Sequence, residues 1–254
     1  MSKHPRNRQK PLRHKQNASQ EGGPLWLWGI HAVEAALANP ARARLRLVAS
    51  ENAARRMSLS KAEILDPGAI GDLLPRGAVH QGVALQTELL TPVELEDLLA
   101  ARPRCVGVLD QLEDPHNLGA IFRSAAAFGV EAIILQTRHS PPLTGVAAKS
   151  AAGAVETVSE VRVVNIARAL DSLADAGYAV IGLAGETETE LETALSLPGP
   201  HALVLGAEGS GLRPGVAKAC GQIARIPMSG EMESLNVSNA AAIAFYLAQR
   251  SMNK

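Results

Sequence analysis

The feature that most constrains this chain is a set of short, nearly continuous apolar runs in its C-terminal part. Cys105–Leu109, Ala132–Leu135, Ala179–Leu183, Ala202–Leu205 and Ile223–Ile226 are each four or five residues long. They do not alternate apolar with polar, so strands built from them must be buried on both faces. Between them lie segments with helical spacing: Leu118–Phe128, closed by Gly129, then Val146–Ala152, Ile166–Ala174 and a long final Asn236–Gln249. Val161–Val164 reads as extended. Short buried strands separated by helices predict a parallel sheet covered on both faces.

Upstream the pattern is smaller in scale. Gly29–Leu37 has helical periodicity and stops at Asn39-Pro40, Leu45–Ala49 reads as a strand, Ala53–Lys61 as a helix and Val83–Leu85 as a strand. This predicts a small α/β unit over 24–90. A connecting helix over 91–103 is expected to open at Thr91-Pro92, a cap followed by a first-turn proline. The main α/β domain then covers 104–254. A length of 254 residues suits such a two-part chain, at roughly 150 residues per domain.

Residues 1–23 are polar and are expected to be disordered, because they lack the apolar content that offsets ordering entropy. The first twenty hold six Lys/Arg and no acid, which leaves 19 basic against 25 acidic residues in the rest. A basic arm on a mildly acidic body points to a polyanion, or else is a solvated tail without a partner. Aromatic residues are only 3% of the chain, which argues against folds that read bases by stacking them on aromatic platforms. No apolar run approaches the ~18 residues of a membrane helix, and no apolar segment follows the basic N-terminus as in a secretory signal. Cys105 and Cys220 are the only cysteines. Two make neither a disulfide framework nor a zinc site, and a cytoplasmic location is the natural reading.

Three segments carry more polar and glycine content than a strand–helix connection needs. The first, Asp110–Gly129, follows a strand end, where ligands bind in open α/β sheets. Asp110 and Asp114 are candidate acceptors there, and Asn117 falls at an expected N-cap. Arg123 lies six residues on, roughly 600° around the helix, and so on a different face from Asn117. The second, Leu203–Leu212, runs from a strand into a loop with glycines at 206, 209 and 211 and the single acid Glu208. Its glycine spacing is neither a dinucleotide fingerprint nor a P-loop. The third, Ile226–Ala242, places Ser234, Asn236, Ser238 and Asn239 around one helix start, where a single cap would suffice.

In this order the three segments closely resemble the SpoU (TrmH) group of the SPOUT superfamily of RNA ribose 2′-O-methyltransferases. The first family motif reads Asn117-Leu118-Gly119-Ala120-Ile121 followed by Arg123-Ser124-Ala125. The second is Leu205–Leu212, and the third is Ile226-Pro227-Met228 with Ser234-Leu235-Asn236-Val237-Ser238. Lys149–Ala154 is also similar to a family segment. The resemblance covers about residues 104–250. The unit at 24–90, with Gly29–Val33 and His80–Val83, resembles less specifically the ribosomal-protein-L30e-like substrate-binding domain of the rRNA-modifying branch.

The resemblance implies a SPOUT domain threaded into a trefoil knot, S-adenosylmethionine as cofactor, no metal, a homodimer, and RNA as the partner. It implies that backbone at Gly206, Ile226 and Leu235, with Met228, holds the cofactor. Arg123 would be the activating residue, better read as a clamp on the phosphate beside the 2′-hydroxyl than as a base, because a guanidinium stays protonated. Asn117 would orient the ribose or Arg123, Ser234 and Asn236 would shape the methyl-donor site, and Glu208 would order the loops. The expected target is a guanosine of large-subunit rRNA. A tRNA ribose methyltransferase and a catalytically silent RNA-binding or ribosome-assembly protein on the same fold remain the alternatives.

Overall fold

A computed structural model describes residues 25–229 and 234–252. The basic arm of the sequence reading lies outside the described residues. Two sheets organise the chain. The first has four strands, β1 (Leu25–Trp28), β2 (Arg46–Ala49), β3 (Glu63–Ile64) and β4 (Val83–Thr87), in the order β1-β4-β2-β3. Strand β4 runs antiparallel to both β1 and β2. Helices α1 (Ile30–Ala38), α2 (Glu51–Arg56) and α3 (Pro67–Asp72) complete this part.

The second sheet has six strands: β5 (Cys105–Leu109), β6 (Ala132–Gln136), β7 (Ser159–Val163), β8 (Ala179–Leu183), β9 (His201–Leu205) and β10 (Gln222–Ala224). Their order is β10-β8-β9-β5-β6-β7, and every pairing is parallel. Alternate residues of each strand enter different cores, as the pleat requires. Cys105, Leu109, Ile133, Leu135, Leu203 and Leu205 face α5 (Pro115–Ala127), α6 (Gly145–Ala151) and α10 (Val237–Met252). Val106, Val108, Ile134, Val180, Ala202 and Val204 face α4 (Leu95–Ala101), α7 (Ile166–Asp175) and α9 (Pro214–Ala219). The doubly covered parallel sheet expected from the apolar runs is therefore present. Helix α8 (Leu191–Ala194) closes one end against α10.

Three helix starts differ from the sequence reading. Helix α4 begins after Glu94, not at Thr91-Pro92, because Val93 is held by a bridge to Val161. Its amide donates to the Glu160 carbonyl at 2.7 Å. Helix α2 is Glu51–Arg56 and not Ala53–Lys61, because Ser50 caps it and Ser58 takes a left-handed φ of 54° just beyond its end. Helix α5 begins at Pro115 and not at Leu118. Asp114 is its cap, accepting from the His116 amide at 2.8 Å, so Asn117 is a first-turn residue and not the cap.

Cys105 is fully buried and Cys220 half-buried, both as free thiols. Burial pushes the Cys105 thiol up to about 12 and Cys220 to about 11. No helix among the described residues is long and apolar enough to cross a membrane.

Candidate active site

The Asp114–Pro115 start of α5 decides what Asn117 can do. With Asp114 as the cap, the Asn117 side chain is released from capping and stands buried on the inner face of α5. Its amide Nδ2 donates to Glu208 Oε1 at 3.2 Å. Asn236 Nδ2 donates to Asn117 Oδ1 at 3.2 Å and also to Glu208 Oε1. The Val237 amide donates to the same carboxylate oxygen at 3.4 Å. One oxygen thus gathers donors from two other segments, which are 91 and 28 residues away in sequence. Asn236 is at the same time the cap of α10, its Oδ1 accepting from the amides of Ser238 at 3.0 Å and Asn239 at 3.4 Å. A side chain that caps with one atom and bridges with the other is fixed at both ends.

The loop carrying Glu208 is held from both sides. Ala207 and Gly211 exchange backbone hydrogen bonds of 3.1 and 3.0 Å, closing the turn over Glu208-Gly209-Ser210. At Gly206 a Cβ would stand 2.1 Å from the Gly211 carbonyl carbon and 2.4 Å from the Leu212 amide nitrogen, so only glycine fits under this turn. Beyond the turn, Arg213 donates to Asp110 from its backbone N at 3.1 Å, from Nε at 2.8 Å and from Nη2 at 2.5 Å. The Asp110 carboxylate is fully buried at the tip of β5. The sequence marks Asp110 as an acceptor but gives no signal for Arg213, its partner 103 residues away.

Arg123 is not part of this cluster. It is exposed on α5, about 9 Å further along the axis than Asn117, and makes no hydrogen bond or ion pair among the described residues. Ser234 and Leu235 are exposed just before α10. Met228 is exposed, and Ile226 is half-buried just past β10 and packs on the core. The main chain of Gly206, Ile226, Met228 and Leu235 makes no hydrogen bond to other described residues. Gly119, between Asn117 and Arg123, is the contact point of α5 with α6: a Cβ there would lie 2.3 Å from the Ala147 carbonyl oxygen. Among the described residues, no group of three or more His, Cys, Asp or Glu is arranged to hold a metal ion.

The six-stranded sheet, with the three loops that carry these side chains, coincides with a family model: residues 105–246 match the SpoU rRNA Methylase family. The chain belongs to the SpoU rRNA methylase family. Two relatives carry the name 23S rRNA (guanosine-2′-O-)-methyltransferase RlmB. That of Xylella fastidiosa strain Temecula1 is 39% identical, over 89% of this chain and 96% of its own length. That of Vibrio cholerae is 38% identical, over 88% and 96%. A solved structure, an AdoMet-bound rRNA methyltransferase from Sinorhizobium meliloti, superposes with a TM-score of 0.73 at 25% identity. It covers 89% of this chain, and 87% of that protein is matched. The likeness reaches beyond the SpoU domain into the N-terminal sheet.

Proposed function

We propose that this chain transfers a methyl group from S-adenosylmethionine to the ribose 2′-hydroxyl of a guanosine in large-subunit rRNA. The observation that carries the reading is the Asn117–Glu208–Asn236 contact. Three family motifs, far apart in sequence, meet on one carboxylate oxygen at the C-terminal edge of a parallel sheet. They do so in a chain whose relatives, matched over nearly their whole length, are named for that reaction. A silent RNA-binding protein has no need of this triad, nor of an exposed arginine about two turns further along α5 that makes no ion pair among the described residues.

The loops suit the cofactor. Gly206, Ile226, Met228 and Leu235 offer an adenosine main-chain donors and acceptors that make no hydrogen bond among the described residues, and Met228 and Leu235 expose apolar side chains beside them. When bound, S-adenosylmethionine supplies an electrophilic methyl on a sulfonium. The chain's own work is positional and electrostatic. Asn117, Glu208 and Asn236 lock the three loops so that the acceptor oxygen is held in line. Arg123, exposed and without an ion pair among the described residues, grips the phosphate beside the 2′-hydroxyl and stabilises the negative charge that develops on the oxygen. Ser234 shapes the methyl-donor end of the site.

The family knot accords with β9 inserted between β8 and β5 and with α10 returning to pack on α5. RNA is held by the 25–90 unit, read as L30e-like, with the basic arm as an added phosphate contact. A second copy covers the outer face of α10, where Ile243 and Tyr246 are exposed and Tyr246 meets Phe128 edge-on at 5.7 Å. Light scattering at micromolar concentration should then give about twice the single-chain mass of 26.6 kDa. The single-chain value would overturn the dimer.

Ribose and base chemistry are separated by alkali. A 2′-O-methyl removes the internal nucleophile, so the adjoining phosphodiester resists hydrolysis. Large-subunit rRNA treated with protein and cofactor, then with mild alkali, should show one gap in the ladder, at a guanosine. A methylated product with a complete ladder would mean base modification.

A further inference from the structure

The segment Gly145–Glu156 lies between the two sheets and touches both sides. One face meets the N-terminal unit at four positions, 145, 149, 153 and 156. A Cβ on Gly145 would stand 2.6 Å from the Trp28 ring, and one on Gly153 would stand 2.6 Å from the Ala35 Cβ. Between them, Lys149 Nζ donates to Gln81 Oε1 at 2.9 Å, and the same oxygen accepts from the Ile30 amide at 3.2 Å. Gln81 holds a left-handed φ of 54°. At the far end the buried Glu156 carboxylate receives Arg42 Nη2 at 2.7 Å, Arg42 Nε at 3.2 Å and Asn39 Nδ2 at 2.7 Å. The opposite face of the segment meets α5 at Gly119, where a Cβ would lie 2.5 Å from Ser150 Cβ. Gly119 is the position between Asn117 and Arg123.

A tether of five residues, 88–92, between β4 and the bridged Val93 would by itself let the N-terminal unit swing, since it can span up to ~18 Å. The strip removes that freedom. We propose that the 145–156 strip holds the N-terminal unit at a fixed offset from α5, with Lys149 and Gln81 as positioning residues that set the register of bound RNA relative to Arg123. This rests on the RNA methyltransferase reading above. Lys149 touches neither cofactor site nor triad; it acts through Gln81. Burial lowers the Lys149 pKa, which accords with a lysine spent on a neutral amide partner.

The test uses the full chain and two RNAs: a large-subunit rRNA fragment carrying the methylated guanosine, and its hairpin trimmed to the target loop. Lys149→Ala should raise KM for the long fragment about tenfold, because two linked contacts no longer act at one fixed spacing. The kcat, the cofactor Kd and the KM for the trimmed hairpin should stay within about twofold of wild type. Lys149→Arg, which can still donate to Gln81, should restore KM. Lys149→Ala combined with Gln81→Ala should be no worse than Gln81→Ala alone, which already removes the Lys149 contact. Wild-type turnover with an unchanged long-fragment KM in Lys149→Ala would overturn the positioning role alone. Wild type inactive on both RNAs would instead overturn the methyltransferase reading, and the RNA register with it. A second readout needs no turnover. Spin labels at Asn52→Cys and Asp171→Cys, in a Cys220→Ser background, should give one narrow distance that broadens in Lys149→Ala. A broad distribution without that substitution would overturn the fixed offset.

Discussion

Arg123→Ala should reduce methyl transfer by about a thousandfold or more while leaving cofactor affinity within about twofold of wild type. Removing one preorganised donor to a developing oxyanion costs about 10²–10³ in rate. Arg123 would lose the phosphate clamp as well, so the effect lies at or above the upper end. The cofactor term should be spared because Arg123 is exposed and apart from Gly206, Ile226, Met228 and Leu235 in the structure's hydrogen-bond network. Arg123→Lys should recover little, since an ammonium lacks the planar fork that grips a phosphate bidentately. Titration calorimetry with cofactor beside a tritium-transfer assay reads both quantities. Near wild-type turnover in Arg123→Ala would remove the residue from the mechanism.

Arg42→Ala should lower stability by about 3–5 kcal/mol. The Arg42 and Glu156 side chains are only 4% and 2% exposed. Deleting the arginine leaves a carboxylate buried with Asn39 as its remaining partner, and an uncompensated buried charge carries that cost. For a chain of this size the melting temperature should fall on the order of 10 °C. Replacing both partners, Arg42→Met with Glu156→Leu, should recover a large part, because the charge then goes with its partner. Thermal unfolding by circular dichroism measures this. A single-variant loss under about 1 kcal/mol would mean that water reaches Glu156.

How much of this was legible beforehand follows from what each residue's neighbours are. The strands of the large sheet are readable because burial on both faces imposes an apolar run, whatever the rest of the chain does. The N-terminal strands are less so. In β3 both residues are exposed, and α3 carries two glycines and one buried residue, Ile70, so neither leaves a periodic trace. Asn117 stands directly before an apolar run and so looks like a cap. Asp114-Pro115, three residues earlier, makes the better one, and that frees Asn117 for Glu208. The motif residues themselves could be named from resemblance, but the pairs that brace them could not. Arg213–Asp110 spans 103 residues and Arg42–Glu156 spans 114, and no local pattern links such partners. Arg123, Ser234, Leu235 and Met228 face outward, so their roles depend on ligands that the chain alone does not hold.

The order β10-β8-β9-β5-β6-β7 has a cost during synthesis. Strand β5 lies at the centre of the finished sheet, yet its neighbour β9 leaves the ribosome about a hundred residues later. At ~5–20 residues per second that is a wait of roughly 5–20 s. Through it, β5-β6-β7 can pair among themselves while one side of β5 stays open, an unprotected edge beside fully apolar faces. A nascent chain in this condition is a natural client for holdase chaperones. Slowing translation between β7 and β9 should therefore lower soluble yield without altering the folded product.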